Sequence, residues 1–159
     1  MNAMNKKYKY IFFESSYESS NQGIGEFEIF KAFMNLVGKD NILVKKHPRS
    51  TTTFFEDNGI AIDINSAAPF EAIQLNYDLS KNVFICAASG SVLTINSVID
   101  KPSKTILFYP MTEFNKYEAI KNYIKHVDDV IKKLQRIGKL THVKVVSTFD
   151  ELKIDERNE

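Results

Sequence analysis

Apolar residues fall in two rhythms along this chain. Short, almost wholly apolar runs alternate with longer stretches in which apolar positions recur every third or fourth residue. Tyr8 to Phe13 (YKYIFF) is aromatic and β-branched and predicts a buried strand. After a serine-rich polar loop, Glu14 to Gln22, the residues Phe27, Ile29, Phe30, Phe33, Met34 and Val37 recur at helical spacing, and Gly38 is placed to end that helix. Asn41 to Lys46 (NILVKK) predicts a second strand that stops at His47-Pro48, because proline donates no ladder bond and disfavours helix before it. Ile60 to Ile64 alternates with period two after Gly59, and Glu56-Asp57-Asn58-Gly59 reads as a turn. Pro69 opens a helix with Phe70, Ile73 and Gln74 on one face. Val83 to Ala87 (VFICA) is an apolar strand ended by Ser89-Gly90-Ser91, and Val92 to Ile99 follows as a short helix. Thr105 to Tyr109 is a further strand, closed by Pro110. A long amphipathic helix is predicted from about Glu113 to Ile137, with Tyr117, Ile120, Tyr123, Ile124, Val127, Val130, Ile131 and Leu134 as its stripe and Gly138 as its cap. His142 to Val146 is the last strand.

Strand and helix alternate, and three strands carry almost no polar residue. Such strands are covered on both faces, so the fold class is α/β: a Rossmann-like open parallel sheet of about six strands with helices on both faces. The domain spans 8–150, between a flexible N-terminus at 1–7 and a flexible tail at 151–159. In open parallel sheets, ligands bind outside the C-terminal ends of the strands, at the point where strand order reverses. The residues to watch are therefore Glu14 to Ser20, His47-Pro48-Arg49, Asn65-Ser66 and Ser89-Gly90-Ser91.

Composition narrows the function. Of 159 residues, 43% are hydrophobic and 26% charged, the balance of a folded globular chain. Lys+Arg 21 against Asp+Glu 20 leaves a net charge of +1, so there is no basic excess to hold nucleic acid. Cys86 is the single cysteine, mid-strand and apolar on both sides; it makes no intrachain disulfide and reads as a buried thiol. One cysteine and three histidines argue against a structural zinc site. No apolar run reaches the roughly 20 residues of a membrane span, and Met1 to Lys7 has no apolar signal-peptide core. The expected location is the cytoplasm, with peripheral association at the inner face of the membrane allowed.

Several residues can carry chemistry. Serine hydroxyls and helix-start amides at Ser89-Gly90-Ser91 suit a phosphate, and Gly90 lets backbone approach it; a helix N-cap with a tight turn accounts for the same residues. His47 sits in a basic run with Lys45, Lys46 and Arg49, and can donate to a phosphate or protonate a leaving one; a solvated loop histidine is the alternative. Pro48 stiffens its backbone. Glu71, in a first helical turn, complements the helix dipole or accepts the two hydroxyls of a ribose. Gly23-Ile24-Gly25 offers two glycines only, which is too little for a dinucleotide fingerprint. His126 and His142 read as surface or partly packed. Asp128 and Asp129 lie mid-helix with their carboxylates pointing apart.

Lys-Lys-His-Pro at 45–48, Pro-Phe-Glu at 69–71 and the serines at 89 and 91 followed by Val-Leu-Thr occur in an order that resembles the bacterial sialyltransferases of glycosyltransferase family 52 and the related capsular polysialyltransferases. The resemblance covers roughly Tyr8 to Pro110. These are GT-B enzymes with two Rossmann-like domains, and the matching motifs belong to the C-terminal domain, which binds a CMP-sugar. The resemblance implies that His47, with Pro48, contacts the donor phosphate and assists departure of CMP, that Glu71 binds the ribose, and that Ser89, Gly90 and Ser91 hold the phosphate. It implies no metal or other cofactor, and a role in capsule or lipooligosaccharide synthesis. The family's serines are usually adjacent, whereas here Gly90 intervenes. The family's acidic base motif precedes the His-Pro pair in a separate N-terminal domain. Glu56-Asp57 follows that pair and is not assigned the role. The chain is thus expected to be the donor-binding half of such an enzyme, meeting its glycan acceptor through a missing N-terminal domain. The alternatives are a non-catalytic α/β nucleotide-binding or interaction module, and a GT-B domain that uses a UDP-sugar.

Overall fold

A computed structural model describes residues 7–18, 22–64, 68–96 and 99–152. Six strands form one sheet in the order β3-β2-β1-β4-β5-β6: β1 is Tyr10–Phe13, β2 Ile42–Lys45, β3 Ala61–Ile62, β4 Val83–Cys86, β5 Lys104–Leu107 and β6 Val143–Val145. Every pairing is parallel. Helices α1 (Glu26–Val37), α2 (Phe54–Asp57), α3 (Phe70–Asn76), α4 (Gly90–Asn96), α5 (Glu118–Arg136) and α6 (Phe149–Leu152) supply the crossovers and the end of the chain. The α/β Rossmann-like sheet expected from the alternation is present, and its order is that of the doubly wound dinucleotide folds.

Side-chain alternation along β1 explains why both faces are covered. Tyr10 and Phe12 point to one face, where Phe33 and Phe30 of α1 meet them edge-on at 5.3 and 4.7 Å. Phe55 of α2 and Phe108 after β5 complete that layer around Phe12. Phe13 points to the other face and packs on Phe70 of α3 and Phe84 of β4 at 4.4 and 5.3 Å. In β1, β2 and β4 every residue is buried, the condition for a strand sandwiched between helices. Gly25 (φ 78°) starts α1 and Gly38 (φ 82°) ends it, both in backbone regions that disfavour a side chain.

Some boundaries differ from those expected. Phe54–Asp57 is a helical turn, so Glu56 and Asp57 sit on α2 and only Asn58-Gly59 form the turn. Two aromatic anchors cause this: Phe54 stacks on Phe27 at 4.2 Å and Phe55 is fully buried. β3 shrinks to Ala61–Ile62 because it pairs on one side only, with β2. The fourth helix begins at Gly90, two residues earlier than expected, which puts Gly90 and Ser91 in its first turn. A 3-10 turn at Phe114–Lys116 precedes α5. Of the long stripe, Ile120, Ile124, Val127 and Ile131 are buried, while Tyr123 is 37% exposed. His126 is exposed and His142 half-buried. Among the described residues, no helix is long and apolar enough to cross a membrane. Of the expected flexible ends at 1–7 and 151–159, residues 1–6 and 153–159 lie outside the described residues, as do Asn65-Ser66, while Glu151 and Leu152 belong to α6 and Leu152 is buried.

Phe12 joins α1, α2 and the segment after β5 to the sheet, so Phe12→Ala is expected to cost about 3–5 kcal/mol. Urea denaturation at neutral pH measures this; a loss under 1 kcal/mol would show that the aromatic layer does not hold α1 and α2 in place.

Candidate functional site

The strand order reverses between β1 and β4, and the segments leaving β1, β2 and β4 enclose a two-lobed cleft at that point. One lobe, about 310 Å³, is lined by Ser15, Ser16, Tyr17, Arg49, Gly90 and Tyr123 among others. The other, about 360 Å³, is lined by Lys45, Pro48, Pro69, Phe70 and Glu71 among others. Phe13, Glu14, His47, Ser89 and Ser91 belong to both lobes and form the ridge between them. All six residues singled out from the sequence, His47, Pro48, Glu71, Ser89, Gly90 and Ser91, line one lobe or the other.

A buried acid builds the ridge. Glu14 follows β1 and is only 5% exposed. Its Oε2 accepts the His47 backbone N–H at 3.0 Å and its Oε1 accepts the Ser50 hydroxyl at 2.6 Å. Its own N–H donates to Lys45 O, carrying the β1–β2 ladder one step further. The turn after β2 is thus pinned to the end of β1. Burial pushes the Glu14 carboxyl above its ordinary range, against the opposing pull of the Ser50 and His47 hydrogen bonds and of Lys46.

Within that turn, Ser50 N–H donates to His47 O at 2.8 Å, and Arg49 N–H donates to His47 Nδ1 at 3.1 Å. An Nδ1 that accepts leaves the proton of the neutral ring on Nε2. Burial, then the charges of Arg49 and Lys45, hold His47 below its usual pKa. At neutral pH it is therefore a neutral Nε2–H donor, and when protonated it is a stronger acid than an ordinary histidine.

Glu71 is placed by its neighbours in sequence. Pro69 (φ −56°) sets the chain at the start of α3, and Phe70 locks between Phe13 and Phe84. The following residue is then held, half-buried, at the mouth of the lobe. Lys45 runs beside it: its Nζ donates to Ala68 O at 3.0 Å, and its pKa is lowered by burial while Asp63 and Glu71 oppose that shift. At α4 the capping reading of Ser89 is observed, since its O accepts Leu93 N–H at 3.2 Å and its Oγ accepts Val92 N–H at 3.4 Å. Accepting that long bond leaves the hydroxyl proton to be donated.

The β1–α1 loop explains why the glycine pair is no dinucleotide fingerprint. Glu18 Oε1 accepts Ile24 N–H at 3.0 Å and Glu26 N–H at 2.8 Å, so the start of α1, where a pyrophosphate would sit, is taken by the chain's own carboxylate. A Cβ on residue 23 would stand 2.9 Å from Glu18 Oε2, so a side chain there would have to shift that carboxylate. Glu26 turns inward and is fully buried. It accepts Ser15 N–H at 3.1 Å on each oxygen and the Ser15 hydroxyl at 2.6 Å. Burial raises its pKa to about 8, more than the Ser15 hydrogen bonds lower it, with Glu14 and Glu18 adding to the rise.

Sequence reasoning marked Glu14 and Tyr17 only as part of the 14–20 segment after β1, and it missed Glu26 and Tyr123. Glu26 looked like an ordinary first-turn acid. Glu14 carried no motif, although an acid directly after a wholly buried strand was the available signal. Tyr123 was absorbed into the α5 stripe, and Tyr17 had no periodic signal at all. Cys86 is buried, as expected, and burial holds its thiol well above the ordinary range. Asp128 accepts the Tyr109 hydroxyl and pairs with Lys132, away from the cleft. Among the described residues, no group of three or more His, Cys, Asp or Glu side chains is gathered to hold a metal ion.

In comparisons with family models, curated proteins and solved structures, the chain matches none.

Glu26 gives this region a pH signature. Unfolded, the carboxyl loses its proton near 4.5, whereas folded it keeps it to about 8. Between those values the unfolded state binds fewer protons, so this group's contribution to stability falls as pH rises. Glu26→Gln keeps one oxygen to accept the Ser15 N–H and an NH2 that donates to the Ser15 hydroxyl, as the protonated acid would, without the ionisation. Its stability relative to the native chain should therefore climb between pH 5 and pH 8. A difference that stays flat across that range, in urea melts, would mean that Glu26 is charged in the folded protein.

Proposed function

We propose that this chain is the nucleotide-sugar-binding domain of a glycosyltransferase of the bacterial sialyltransferase type, with CMP-sialic acid as donor in surface polysaccharide or lipooligosaccharide synthesis. One observation carries the reading: His47, Glu71, Ser89 and Ser91 come from three separate segments and line one cleft at the reversal point of a parallel sheet. In this reading Glu71 accepts the ribose hydroxyls, and the nucleoside lies against Phe70 and Pro48. The phosphate meets His47 Nε2–H and the hydroxyls of Ser89 and Ser91. Negative charge grows on the phosphate as the bond to the sugar breaks, and these donors stabilise it in place, without a divalent cation. A base must also take the proton of the acceptor hydroxyl. Glu71 is taken by the ribose in this reading, and four other acids are engaged: Glu14 by His47 and Ser50, Glu18 by the start of α1, Glu56 by Lys46, and Asp57 by Thr53. The base is therefore assigned to a separate domain across the cleft, and this chain supplies donor binding.

The Ser89 capping bond favours one rival, a non-catalytic α/β module in which the serine loop only ends a helix. Titration calorimetry separates the readings. CMP should bind more tightly than UDP or CDP, His47→Ala should weaken it about tenfold, the loss of one hydrogen bond to a charged group, and EDTA should change nothing. Absence of nucleotide binding at millimolar concentration would support the rival, and tighter binding of UDP would redirect the assignment to a UDP-sugar. A second expectation concerns turnover: the 159-residue chain alone should not transfer sialic acid to lactose-type acceptors. Robust transfer would mean that one of the engaged acids is released to act as the base.

A further inference from the structure

The nucleotide reading fills only one lobe of the cleft. The remaining lobe has a different chemistry: two phenols, a guanidinium and a serine hydroxyl, from Tyr17, Tyr123, Arg49 and Ser16. It opens on the same ridge of His47, Ser89 and Ser91, so whatever it holds is adjacent to the phosphate. The Arg49 guanidinium reaches across from the β2 turn and donates to Ser16 Oγ at 3.4 Å, a long contact. Among the described residues no carboxylate forms an ion pair with it, although Lys46 on the same turn pairs with Glu56. The Tyr123 hydroxyl comes in from α5 and stands 3.6 Å from where a Cβ on residue 90 would lie. Burial holds both phenols above their ordinary pKa, so both stay protonated. Glu14 is the acid that lines this lobe, and its two oxygens are turned to His47 and Ser50.

We propose that this lobe receives the group attached to the nucleotide's phosphate, and that the group is an acidic sugar: its carboxylate pairs with Arg49, and Tyr17 and Tyr123 donate to its oxygens. Arg49 and Tyr123 are thereby specificity-determining residues for the transferred group rather than for the nucleotide. The assignment rests on the nucleotide reading above, since the phosphate fixes which end of the ligand faces the lobe. A guanidinium suits this task because its fork matches a carboxylate and it stays charged at any working pH.

The test titrates CMP and CMP-sialic acid into the native chain, Arg49→Gln and Tyr123→Phe, with thermal melts to confirm that each variant is folded. The native chain should bind CMP-sialic acid at least about tenfold more tightly than CMP, the range of one charge-assisted pair. Arg49→Gln should bring that ratio to about one and leave CMP affinity within about twofold. Tyr123→Phe, which removes only a hydroxyl, should lower the ratio about threefold to fivefold. If CMP binds but the ratio survives in both variants, or both ligands weaken equally, the subsite is wrong and the nucleotide reading stands. If the native chain binds neither ligand, both fall.

Discussion

The cleft depends on one buried carboxylate. A parallel sheet leaves its strand ends as separate loops with no ladder between them, and something must fix their relative positions before they can form a site. Glu14 does this between β1 and β2 by accepting from the His47 backbone and the Ser50 side chain at once. Its burial raises the cost of leaving either oxygen unpaired, so the hydrogen bonds hold the turn more firmly than they would at the surface. The turn in turn sets the tautomer of His47, through the Arg49 N–H on Nδ1. The tautomer of a histidine at the ridge is therefore set by a turn that an acid one strand away holds in place.

A second acid shapes the other side of the reversal point. In a dinucleotide fold the start of the first helix receives a pyrophosphate; here Glu18 fills it, and Gly23 makes room for the carboxylate. Glu26, buried behind Ser15, keeps the end of β1 in register with the start of α1. The β1 side of the cleft is thus lined and backed by acids, while cationic and donor groups stand over β2 and β4. In the proposed reading an anionic ligand is directed towards His47, Arg49 and the serine loop, away from the usual first-helix position. A dinucleotide-type reading of the same sheet order would place it on the wrong loop.

The fold was legible because its strands are either wholly apolar or bounded by proline and glycine. VFIC and YIFF cannot be surface strands, and the helical spacing from Phe27 to Val37 leaves no other assignment. What failed were the places where tertiary packing overrode local signals. Glu56-Asp57-Asn58-Gly59 has turn chemistry, yet Phe54 and Phe55 anchor its first half as a helix. β3 has a strand pattern over five residues, yet as an edge strand it pairs over two. At the site, residues with a motif (His47, Glu71, Ser89) could be singled out, because strand-end position and residue type together imply a role. Glu14 and Tyr17 could be marked only as part of the segment after β1, and Glu26 and Tyr123 not at all. Their functions come from the distance between segments far apart in sequence, and Tyr123 satisfies a core-facing period while lining the cleft.

The central claim is that the reversal-point cleft is a nucleotide site organised around the Glu14-pinned ridge. Amide chemical shifts of the isotope-labelled chain, followed as CMP is added, test it most directly. The account predicts that the largest shifts fall on Ser15, His47, Arg49, Ser89, Gly90 and Ser91. No shift at millimolar CMP, or shifts centred instead on the cleft between Gln74 and Lys101 at the opposite, N-terminal ends of the strands, would contradict it.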